Sequence, residues 1–174
     1  MKRVTVIVTL LLLAGLLSTS LVSAQRFRPG NQTIAEIAVG NGNFETLVAA
    51  LSCTNLVGAV ADPGASLTVF APTDAAFASL GLNAGNICDT FDQQTLTTIL
   101  FYHVVGERRP SPSVINGRNK SITMLAGGSI RPEGRGSLVL FDNLDRMTSI
   151  VAADVMASNG IIHIVDNVLL PVAH

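Results

Sequence analysis

Thr68-Val69-Phe70-Ala71-Pro72-Thr73-Asp74-Ala75-Ala76-Phe77 is the stretch on which the reading of this chain turns. Residues 67–70 form an apolar run broken only by Thr68, short enough for a buried strand. Pro72 ends that strand, because a proline nitrogen cannot donate to a ladder. Thr73 then stands where a helix N-cap belongs, and Asp74 suits the positive end of the helix dipole. A short helix is predicted through Phe77 and Leu80. The decamer thus reads as a strand that turns directly into a capped helix.

Upstream, the pattern is helical. Thr33 and Glu36 have the spacing of a capping box, and Ile34, Ile37 and Ala38 supply a short apolar face. Asn41-Gly42-Asn43 breaks this helix, and Phe44, Leu47, Val48 and Leu51 restart the stripe at three- and four-residue spacing. Another turn or two is expected over 56–61, stopped by Asp62-Pro63-Gly64. Downstream, 81–89 reads as loop and 93–101 as helix, with Leu96, Ile99 and Leu100 inward. Residues 102–105 read as a strand, and Pro110 and Pro112 sit in a connection. From residue 121 onward, short β-like runs (121–125, 129–131, 138–141, 149–155 and 161–165) alternate with glycine-rich turns. Helices gathered in the first half and strands in the second predict an α+β domain.

The 174-residue chain opens with Lys2 and Arg3, an apolar run over 4–17, and Val22-Ser23-Ala24. Charge, apolar core and small residues in that order predict a signal peptide over 1–24, cleaved after Ala24. The run is short for a membrane anchor. A flexible lead-in over 25–32 and a single domain over 33–172 would follow. Cleavage removes two basic residues, leaving nine against 12 acidic and a net charge near −3. That balance argues against nucleic acid or an anionic membrane as partner, and no later stretch is apolar enough to span a bilayer. Cys53 and Cys88, an even pair in an exported chain, read as one disulfide. The alternative is a free buried pair.

Three blocks resemble one family. The opening decamer is similar to the first signature box of fasciclin domains. Asn159-Gly160-Ile161-Ile162-His163-Ile164-Val165-Asp166, with Val168-Leu169-Leu170-Pro171, resembles the second, and Leu100-Phe101-Tyr102-His103-Val104-Val105 resembles the central Tyr-His motif. They occur in the family's order, and the likeness runs from about residue 33 to 172. The resemblance implies a β-sandwich or wedge with N-terminal helices packed against it. It also implies adhesion or matrix association outside the cell, and no catalytic centre.

Tyr102, His103 and Asp74 carry the family motif proposed for binding. The competing reading is a buried tyrosine and a histidine hydrogen-bonded in the core, with Asp74 as a candidate partner. Arg108-Arg109-Pro110-Ser111-Pro112 offers a stiff basic surface patch suited to acidic glycans or a protein, or else an ordinary solvated loop. Asn31 and Asn119 head sequons for N-glycosylation. His163 and Asp166 are three apart; in a strand that spacing sends them to opposite faces, so no metal site is expected. No nucleophile elbow, phosphate loop or close carboxylate pair appears, and no cofactor is expected.

These readings predict a secreted, non-catalytic adhesion or surface-interaction module (periplasmic or at the cell surface if bacterial). Its partner would be an extracellular protein or polysaccharide. A lone domain that binds weakly would gain from display on a surface or from self-association. The alternative is a secreted carrier of an apolar small molecule such as a carotenoid, with Met124, Met147 and Met156 as exposed apolar candidates near turns.

Overall fold

The capping box expected at Thr33 is formed. Its hydroxyl accepts from the Glu36 amide at 3.3 Å, and the Glu36 carboxylate accepts from the Thr33 amide at 2.7 Å. This starts α1 (Ile34–Val39), which buries Ile34, Ile37 and Ala38. After the Asn41-Gly42-Asn43 break come α2 (Glu45–Cys53) and α3 (Val57–Ala61). The deciding decamer folds as read: β1 (Leu67–Pro72) passes into α4 (Asp74–Ala78), and the Thr73 hydroxyl accepts from the Ala76 amide at 3.3 Å. The computed structural model describes residues 30–115, 121–133 and 138–171. The expected signal peptide, residues 25–29 of the lead-in, and Asn119 lie outside them.

Two segments expected to be irregular are helical. α5 (Ile87–Thr90) begins inside the 81–89 loop and runs one residue past it, anchored by buried Ile87 and by the Cys53–Cys88 disulfide, whose Cα atoms are 6.0 Å apart. α7 (Ser111–Ile115) occupies the proline connection. Its Pro112 falls in the first turn, where a missing N–H costs no helical hydrogen bond. Between them, α6 (Gln93–Phe101) appears as expected, with the Asp92 carboxylate accepting from the Thr95 amide at 2.9 Å.

The remaining strands are β2 (Val104–Val105), β3 (Ile122–Thr123), β4 (Ser129–Pro132), β5 (Val139–Phe141), β6 (Met147–Ala157) and β7 (Gly160–Val165). Tyr102 and His103, expected within a strand, instead form the turn between α6 and β2. All seven strands make one sheet in the order β2-β1-β7-β6-β5-β4-β3. The β1–β7 pair is parallel and aligns Leu67 with Gly160 and Phe70 with His163; every other pair is antiparallel.

The sheet divides two cores. On one side β1 turns Val69 and Ala71, and β7 turns Ile162, towards the helices, which add Phe44, Leu47, Leu96 and Leu100 among others. On the other side lies a cluster of Phe70, Val105, Ile122, Ile130, Leu140, Ile150 and Val165, one residue from each of the seven strands, with Tyr102 and Leu169. A flat sheet cannot bring both its edges to one cluster, so the sheet curls around it. The edges meet through the Leu125 amide, just past β3, which donates to the Val104 carbonyl of β2 at 2.8 Å. That contact covers strand edges that would otherwise be open to pairing.

Candidate functional site

The turn after α6 buries Tyr102 within the second core and His103 beside a cavity under the helices, with exposures of 0% and 2%. The Tyr102 hydroxyl donates to the Ser129 carbonyl at 2.9 Å and accepts from the Asn143 amide at 3.2 Å. Burial raises the Tyr102 pKa. The Leu169 amide donates to His103 Nε2 at 3.0 Å, so Nδ1 carries the proton and donates to the Ile99 carbonyl at 2.8 Å. Burial pushes the imidazole pKa down to about 4; the Ile99 bond opposes that shift and the Arg146 charge adds to it. His103 is therefore neutral at physiological pH, and it clasps α6 to the segment after β7.

Asp74 is not the partner of His103. Its carboxylate accepts from the Glu45 and Thr46 amides at 3.1 and 2.8 Å. Phe44 occupies the N-cap of α2 and supplies no side-chain hydrogen bond, so Asp74 caps that helix from another element. Two orphan amides are satisfied this way, and the negative charge meets the positive helix end.

The basic stretch is tied down along its backbone. Thr68 Oγ1 donates to the Glu107 carbonyl at 2.7 Å and accepts from the Arg109 amide at 2.8 Å. The Arg109 side chain pairs with Glu107, whereas Arg108 reaches the Ser158 carbonyl and remains exposed. His163 accepts from the Asp154 amide at Nδ1 (3.3 Å) and donates from Nε2 to the Arg109 carbonyl at 2.8 Å. The Ser111 hydroxyl donates to the Asp154 carboxylate. Serine, histidine and aspartate thus lie close together, but neither ring nitrogen is free to take the serine proton, so the arrangement is a latch. Asp166 lies apart from it and accepts from the Ser149 amide at 2.7 Å. Asn31 is exposed ahead of α1, Met147 and Met156 are exposed, and Met124 is buried in the second core.

A family model described as Fasciclin domain matches residues 42–171. The chain belongs to the fasciclin domain family. It is 37% identical over 155 residues to Protein sll1483 of Synechocystis, covering 87% of this chain and 81% of that one. It is 33% identical over 145 residues to the immunogenic protein MPB70 of Mycobacterium bovis, covering 80% and 69%. Transforming growth factor-beta-induced protein ig-h3 of Sus scrofa is 32% identical over 146 residues, which are 84% of this chain and 20% of that longer protein. The fold resembles the solved FAS1 domain pair from the insect cell adhesion molecule Fasciclin I, with a TM-score of 0.66 at 16% identity. That match covers 83% of this chain and 52% of the other. No helix among the described residues is long and apolar enough to cross a membrane.

Two buried polar residues organise this fasciclin domain beyond what its sequence suggested. Asn159, expected only as part of a turn, accepts from the Ile34 amide at 2.9 Å and donates to the carbonyls of Val60 and Asp62, each at 2.9 Å. It thereby ties β7 to α1 and α3. Gly160 is required beside it by close approach, because a Cβ there would lie 2.3 Å from the Leu67 carbonyl oxygen. Asp142 accepts from the Leu144 and Arg146 amides at 2.9 and 3.0 Å and from Arg146 Nε at 2.9 Å. The Asp142–Arg146 spacing was the available signal; it fits a turn closed by its own ion pair.

Proposed function

We propose that this fasciclin domain is exported and works without catalysis, binding a surface protein or polysaccharide outside the cell through its exposed faces. The observation that carries this reading is the inward commitment of the motif side chains. Tyr102, His103 and Asp74 spend their polar atoms on the domain's own backbone. A partner therefore meets other residues, and the motif keeps the surface in shape. The reading is also supported by the insect cell adhesion molecule whose domains share this fold. Among exposed groups, Arg108 is the cation we assign to contact with an acidic or sulfated glycan; the paired Arg109 is left to hold its loop.

Binding of the purified protein to immobilised surface extract of its host tests this. Saturable binding is expected. Arg108→Ala should weaken it about fivefold, with a flatter salt dependence and an unchanged melting temperature. No saturable binding by the folded protein would overturn the adhesion reading. A Tyr102→Phe variant that keeps its melting temperature yet loses binding would overturn the scaffold role of the motif.

A further inference from the structure

A cavity of about 130 Å³ lies between the helical layer and the sheet, bounded by side chains such as Leu47, Leu51, Val69, Leu100 and Ile162. Among the described residues, His103 is the one lining residue with a polar side chain, and both its ring nitrogens are engaged, by Ile99 and Leu169. The cavity therefore offers water no side-chain partner, and a buried water needs two to four polar contacts. An apolar void of roughly 150 Å³ stays dry and accepts a benzene-sized guest. Left empty, such a void costs stability in proportion to its volume.

The cavity reaches the surface. Two of its lining residues, Ala59 of α3 and Leu125 beyond β3, are exposed, the latter at 51%. Half-buried Leu56, Leu67 and Phe101 also line it and continue the apolar surface outward. Among the described residues, the interior has no free side-chain group to receive a polar head, and the apolar surface extends past the enclosed volume. Both features suit a flexible chain better than a compact ring. We propose that this cavity receives the methyl end of an acyl chain, whose polar head stays in solvent. A longer molecule enters by one end alone. This inference gives the apolar-carrier reading a specific site and stands independently of adhesion.

Methyl-detected NMR of the full protein, titrated with decanoate below its micelle concentration and separately with toluene, tests the proposal. Decanoate should produce saturable shifts at the methyls of Val69, Leu100 and Ile162, which separates this site from binding elsewhere on the chain. Ala38→Leu, which extends a lining side chain into the void, should lower the affinity about tenfold. If that variant fails to fold, Leu125→Asn at the exposed rim carries the same expectation. Absent shifts, unchanged affinity in the folded variant, or shifts with toluene but not decanoate would each overturn the assignment.

Discussion

His103 and His163 are buried as neutral rings of opposite tautomer, and each has its unprotonated nitrogen occupied by a backbone amide. Adding a proton at either ring therefore breaks a hydrogen bond as well as burying a charge. Burial lowers both pKa values, that of His103 to about 4. For a base whose folded pKa lies below its unfolded value of ~6.5, the unfolded chain binds more protons in the interval between them. The contribution of His103 is thus full above pH 6.5, declines as pH falls, and stops declining near pH 4; that of His163 changes in the same direction. The His103 shift corresponds to about 3 kcal/mol. Denaturant titrations at pH 7.5, 5.5 and 4 should follow that decline, and His103→Gln should shallow it. An unchanged slope in that variant would remove His103 as its source. Residue identities of this kind were legible at Thr33, Thr73 and Glu36, whose partners lie within three positions. Those of His103, Asp74 and Asn159 were not, because each has a deciding partner far along the chain, 66, 28 and 125 residues away.

At the scale of elements, α2 is secured from outside itself. Asp74 caps its start, and the disulfide at Cys53 ties its end to α5 across a separation of 35 residues. Chain entropy puts such a closure at about 3–4 kcal/mol. A Cys53→Ser/Cys88→Ser variant should lose that much in denaturant unfolding. A loss below ~1 kcal/mol would show that buried Ile87, and not the covalent tie, holds α5 in place. Local signals found α1, α4 and α6, each with a capping side chain within its own segment. They missed α5 and α7. Both are short helices, set by a buried anchor and a disulfide in one case and by a latch to Asp154 in the other. Neither tie has a signature in local periodicity.

At the scale of the molecule, both cores share β1 and β7, with Val69 and Ile162 on one face and Phe70 and Val165 on the other. The two cores should therefore unfold together. Tyr102 is the only tyrosine, and the chain has no tryptophan, so tyrosine fluorescence reports on the second core while far-ultraviolet dichroism weights the helices. The two melting curves should coincide; separated midpoints would mean that the cores are independent. The sequence by itself determined the α+β class, the strand-to-helix decamer and the family, because hydrophobic period, caps and proline stops act within a few residues. Only the tertiary structure decided that β1 lies parallel to β7, that the sheet curls until Leu125 meets Val104, and that the Tyr-His motif faces inward. Those outcomes depend on which distant backbone groups and apolar faces can be satisfied at once, a condition that no local stretch of chain contains.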